Sequence, residues 1–117
     1  MSKIYTRTGD EGTTGLGDGS RINKNHLRIK SLGSLDELNA SIGLLRTEII
    51  PANVDHMLAV IQHQLFDLGG EMSLPGQTLI QQNYVAGLEH WLDELNEALP
   101  PLKEFILPGG CESAARC

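Results

Sequence analysis

Between residues 34 and 101, apolar side chains return every three or four positions in three separate runs, and a proline closes each run. Leu35, Leu38, Ile42, Leu45 and Ile49 make the first run, which stops at Pro51. Val54, Met57, Ile61, Leu65, Leu68 and Met72 make the second, ending at Pro75-Gly76. Val85, Leu88, Leu92, Leu95 and Leu99 make the third, ending at Pro100-Pro101. This spacing predicts three helices packed nearly parallel, as in a bundle. Short connections predict that consecutive helices run antiparallel. Ser34-Leu35-Asp36-Glu37 has the pattern of a capping box, which would start the first helix at Ser34. Asn53 is placed to cap the second. Residues 3–8 and 27–32 read as extended arms flanking a loop.

Three such helices make an unfinished core. Leu44 and Ile50 widen the apolar arc of the first helix beyond what one neighbour covers. After Gly109-Gly110, the residues Glu112-Ser113-Ala114-Ala115-Arg116 read as the start of a further helix. A chain of 117 residues fits one domain, so more chain or partner subunits are expected to complete it. No apolar run approaches the ~20 residues that span a bilayer. The start lacks the apolar stretch of a signal peptide, and a cytoplasmic protein is expected. Cys111 and Cys117 are too few for a disulfide framework and read as reduced thiols.

The net charge of −6 speaks against nucleic acid as a partner, yet it is unevenly spread. Residues 1–30 hold six of the nine basic residues and three acids, a balance of +3, and the remainder carries −9. The basic part is also where glycine concentrates, with five in the eleven residues from Gly9 to Gly19. Glycine lets backbone amides approach and face a ligand. Threonine hydroxyls, Arg7 and Lys24 add donors suited to phosphate oxygens. The loop is neither a Walker A sequence nor a dinucleotide fingerprint. Its composition alone fits a phosphate-binding loop and a flexible turn equally well.

The wording of the segments narrows this. Ile4-Tyr5-Thr6-Arg7-Thr8-Gly9-Asp10-Glu11-Gly12-Thr13-Thr14, then Lys24, then Ser34-Leu35-Asp36-Glu37-Leu38-Asn39, then Phe105-Ile106-Leu107-Pro108-Gly109-Gly110 resembles the PduO-type ATP:cob(I)alamin adenosyltransferases in order and spacing. The resemblance implies an all-α, ferritin-like up-and-down bundle of five helices, three of them present here, preceded by a glycine-rich nucleotide-binding segment over residues 1–33. The bundle segment would cover 34–117. It further implies a homotrimer with active sites between subunits, and a flavoprotein reductase as an accessory partner.

By the same resemblance, Thr6, Arg7, Thr8 and Gly9 wrap the triphosphate of ATP, and Thr14, Gly15 and Lys24 complete that half of the site. Arg7 stands where the family often has lysine, so a planar fork replaces a point charge. Asp36 matches an acid that pairs with an arginine of the neighbouring subunit; at the start of a helix it would also favour the helix dipole. Phe105 matches the aromatic residue against the lower face of the corrin ring. The implied reaction is displacement by cobalt(I) at the 5′-carbon of ATP, with magnesium and loop donors holding the leaving triphosphate. The arginines that the family places on its fourth helix would lie beyond residue 117.

Two other readings compete. A di-iron bundle would need Glu-x-x-His pairs, and none of His26, His56, His63 and His90 has a glutamate three residues before it. No protein-held metal site is therefore expected. A catalytically inactive bundle that keeps only nucleotide binding or assembly remains the alternative function.

Overall fold

The computed structural model describes residues 3–116; the reading of Cys117 as a free thiol lies outside them, while Cys111 is free and exposed. The chain begins with a small antiparallel hairpin of β1 (Thr13–Gly15) and β2 (Arg21–Asn23). Four helices follow: α1 (Leu27–Arg46), α2 (Ala52–Ser73), α3 (Gln82–Asn96) and the short α4 (Glu112–Arg116). The predicted helical architecture holds, with the two-stranded sheet as an addition to the all-α expectation. Residues 3–8 form no strand.

Helix α1 starts seven residues earlier than the capping-box pattern predicts. His26 is its N-cap, and its Nδ1 accepts from the Arg28 amide at 3.1 Å. Residues 27–32 are thus helical rather than extended. Ser34 sits in the helix interior, where its Oγ donates to the Lys30 carbonyl one turn back at 3.2 Å. An already nucleated helix continues through Ser34 more cheaply than a new one starts there. Ser34→Ala is accordingly expected to leave stability unchanged or raise it by up to ~0.5 kcal/mol, since alanine is the better helix former. A urea denaturation midpoint checks this, and a loss of ~1 kcal/mol would restore a capping role.

Asn53 does not cap α2 either. Pro51 occupies that position with extended backbone, pre-set by its ring, and no side chain caps the helix. At the other end of the second run, α2 gives way to Leu74 and the Pro75-Gly76 turn, where Gly76 takes a left-handed φ of 87°.

Helices α1 and α2 form an antiparallel pair held by polar as well as apolar contacts. Asn39 Nδ2 donates to the Gln62 carbonyl at 3.3 Å, and Gln62 Nε2 donates back to the Asn39 carbonyl at 3.1 Å. Nearer the connection, Arg46 Nε meets Asp55 at 2.8 Å and its Nη1 reaches Gln62 Oε1 at 2.9 Å. The Asp55 carboxyl is held below its usual range by the hydrogen bond from Arg46, and the Arg46 guanidinium is raised in turn. At the far end, Arg28 Nη1 donates to the Met72 carbonyl at 2.7 Å. Glycine at 43 makes room for this ladder, because a Cβ there would lie 3.3 Å from Gln62 Nε2.

Helix α3 lies along α2 through Tyr84, whose hydroxyl donates to Asp67 at 3.2 Å and is thereby raised above the usual phenol range. Helix α4 attaches to the end of α1 by an Arg116–Glu48 ion pair of 2.7 Å. The apolar core is thin. Leu45 alone among the described hydrophobic residues is buried, at 7% exposure, while Val85, Leu92 and Leu99 of the third run stay more than half exposed. The stripes that the sequence displays are in place, and much of their surface faces outward.

Candidate functional site

The glycine-rich segment is a hairpin, and its turn and both ends are tied down. Thr13 pairs with Asn23, Thr14 with Ile22 and Gly15 with Arg21. At the tip, the Leu16 amide donates to the Ser20 carbonyl at 2.8 Å and the Gly19 amide to Leu16 at 3.1 Å. Gly19 has a φ of 86°, a conformation that a β-carbon disfavours. The Asp18 carboxylate accepts from both the hydroxyl (2.6 Å) and the amide (2.9 Å) of Ser20, which hold it below the usual carboxylate range. At the open end, the Lys24 amide donates to the Gly12 carbonyl at 2.9 Å.

The tip is docked on the helical pair. The Gly17 amide donates to the Ser73 carbonyl at the end of α2 at 2.8 Å. A Cβ at Gly17 would lie 2.6 Å from Leu74 Cδ2 and 3.1 Å from that same carbonyl, so only glycine fits without movement. The Arg28–Met72 bond fastens the start of α1 to the same end of α2. Hairpin and helices thus share one anchoring point.

Lys24 folds back over Gly9. A Cβ at Gly9 would lie 3.4 Å from both Cε and Nζ of Lys24, and 3.3 Å from the Thr13 carbonyl. The ammonium makes no ion pair with a described residue. Thr6 and Thr8 bring their hydroxyls together at 3.0 Å. Arg7, between them, adopts a φ of 61°, a left-handed conformation that costs a non-glycine residue about 1–2 kcal/mol. Its guanidinium lies 5.3 Å from the centre of the Tyr5 ring, and Lys3 approaches the same ring at 5.9 Å. The result is an exposed surface of hydroxyls, amides and three cations, Lys3, Arg7 and Lys24, none paired with a carboxylate of a described residue.

Of the sequence-predicted residues, Thr6, Arg7, Thr8, Gly9, Thr14, Gly15 and Lys24 therefore share the hairpin and the arm that leads into it. Asp36 lies on α1, lining an open cleft of about 330 Å³ between α1 and α2 with Asn39 and Ser73. Its carboxylate makes no ion pair with a described residue. Beside it, Asn39 Oδ1 is enclosed without a hydrogen-bond partner. Phe105 belongs to the irregular stretch between α3 and α4 and is 89% exposed. No hydrogen bond or ion pair joins Asp36 or Phe105 to the hairpin among the described residues. Nor do those residues contain a cluster of His, Cys, Asp and Glu able to hold a metal, and no helix among them is long and apolar enough to cross a membrane.

Sequence reasoning missed Arg21, whose guanidinium ties the arm to β1. The available signal was a cation within the basic, glycine-rich segment, but its partners are backbone carbonyls, which carry no sequence pattern. Gly17 was likewise only one glycine among five.

The family model described as cobalamin adenosyltransferase matches residues 4–117. A cobalamin adenosyltransferase from Cupriavidus metallidurans is 61% identical over 99% of this chain, which spans 64% of that relative's length. Among solved structures, a PduO-type ATP:corrinoid adenosyltransferase from Lactobacillus reuteri, a phenylalanine-to-alanine variant complexed with cobalamin and ATP, superposes with a TM-score of 0.88 at 31% identity. The match covers 97% of this chain and 67% of that one. An arginine-to-lysine variant from the same organism, complexed with ATP, gives a TM-score of 0.86 at 33% identity over the same shares.

Proposed function

This chain belongs to the cobalamin adenosyltransferase family, and on that footing we propose that the protein transfers the 5′-deoxyadenosyl group of ATP to the cobalt of cob(I)alamin. The cobalt–carbon bond forms as the bond from the 5′-carbon to oxygen breaks, and triphosphate leaves to give adenosylcobalamin. The nucleophile is strong in itself, so the protein's contribution is to position the reactants and stabilise the leaving charge. The observation that carries the reading is the unpaired Lys24 ammonium folded onto Gly9, with the Thr6 and Thr8 hydroxyls nearby. These are the donors that a triphosphate needs. Magnesium would arrive on the nucleotide, held chiefly by phosphate oxygens.

Asp36, unpaired on the face of α1, would meet an arginine of a second subunit in a homotrimer. Phe105 would stand against the lower face of the corrin ring. A flavoprotein reductase would supply cobalt in its reduced form, and the setting would be the cytoplasm. The competing reading, a nucleotide-binding or assembly bundle without transfer, draws on the exposed stripes of α1 and α3.

Lys24→Ala in the whole protein is expected to weaken ATP binding by about 1.5–3 kcal/mol, the range of a charge-assisted contact. That is a tenfold to more than hundredfold rise in Kd. Corrinoid affinity should change far less. Calorimetric titration with each substrate checks both halves, and an unchanged ATP affinity would remove Lys24 from the triphosphate site.

A further inference from the structure

We propose that Arg21 is a positioning residue for the nucleotide, acting through the backbone of the triphosphate loop and not as a phosphate ligand. The inference rests on the assignment of that loop to ATP and goes beyond it, because Arg21 is none of the residues that assignment uses. Its side chain starts on β2 opposite Gly15 and crosses over that residue, where a Cβ would lie 3.7 Å from Arg21 Nη1. Nη2 then donates to the Thr8 carbonyl at 2.7 Å and lies 3.2 Å from the Thr13 carbonyl and 3.3 Å from Thr13 Oγ1. One terminal nitrogen thus bridges the arm to the first strand of the hairpin.

The arm has few other ties. The Asp10 amide reaches the Arg7 carbonyl at a long 3.4 Å, and the Thr6–Thr8 hydroxyl contact lies within the arm itself. Among the described residues, Arg21 is the one side chain that bonds a backbone carbonyl of residues 6–9. It does so at the residue next to Arg7, whose left-handed backbone needs outside support to persist. Fixing the Thr8 carbonyl sets the direction of the peptide that follows, and so the aim of the Gly9 amide beneath Lys24.

The bridge depends on reach as well as charge. A lysine ammonium ends about one bond short of an arginine Nη, and it lacks the planar fork. A residue that merely adds positive charge near the triphosphate would tolerate lysine; a backbone clamp would not. Steady-state kinetics on the whole protein, with Arg21→Lys, Arg21→Met and Lys24→Ala in parallel, separate these roles. Arg21→Lys and Arg21→Met are expected to raise the KM for ATP alike, by about tenfold. The kcat should stay within about threefold, and the KM for cob(I)alamin and the thermal midpoint should not move. A general structural defect would shift the midpoint and both KM values, which would overturn the proposal. So would an Arg21→Lys protein with wild-type KM for ATP while Lys24→Ala is impaired. If Lys24→Ala also binds ATP normally, the loop assignment itself fails and the positioning role falls with it.

Discussion

A chain cut at residue 117 is expected to transfer adenosyl groups at least about a hundredfold more slowly than the same chain extended to the length of its relatives. The first reason is energetic. On the proposed function, the triphosphate would lie between the glycine-rich hairpin and arginines on a fourth long helix, and two lost charge-assisted contacts at ~1.5–3 kcal/mol each would account for that factor or more. The second reason is packing. Leu45 alone among the described hydrophobics is buried, and the stripes of α1 and α3 leave Leu38, Leu44, Val85 and Leu92 substantially exposed. Apolar surface of this extent favours association with whatever covers it. Assays with chemically reduced cob(I)alamin and ATP, run on both lengths together with sedimentation analysis, read the two effects separately. Comparable turnover by the short chain would show that the hairpin suffices for triphosphate stabilisation.

Phe105→Ala in the whole protein is expected to slow adenosyl transfer by about a hundredfold while leaving ATP affinity within about twofold. A reactant held 1 Å off its line of attack loses a factor of this order. Phe105 is 89% exposed and touches neither the hairpin nor α1 through any hydrogen bond, so its removal leaves the loop geometry intact. The informative readout is the cobalt(II) spectrum under reductant with ATP bound. An apolar wall that displaces the lower ligand gives a four-coordinate signature, and Phe105→Ala should abolish it. An unaltered rate and spectrum would take Phe105 out of the corrin site.

The helical pair was legible because its signal is periodic. Leu35, Ile42 and Leu45, set against Ile61, Leu65 and Leu68, repeat with the helical turn, and Pro51 and Pro75 bound the runs. The start of α1 was not legible. Gly33 weakens any helical reading of residues 27–33, and Ser34 with Glu37 imitates a cap although both lie on the exposed face of a continuous helix. Only the fold reveals that His26 already supplies the cap. The two strands escaped notice because three residues each, Thr13-Thr14-Gly15 and Arg21-Ile22-Asn23, are too short to show alternation. For the site, residue type located the donors, but not what holds them. Arg21 and Gly17 act through main-chain carbonyls, and any sequence with a carbonyl there would look the same.

The bond from the Gly17 amide to the Ser73 carbonyl decides which part of the loop is free to travel. The hairpin is bonded at its tip to a helix end and runs at its base, within four residues of β2, into the start of α1, so it is held to the helical pair at both ends. It is a fixed shelf, rigid with α2. The arm of residues 3–9 lies outside that shelf, and the Arg21 bridge to the Thr8 carbonyl is what ties it on.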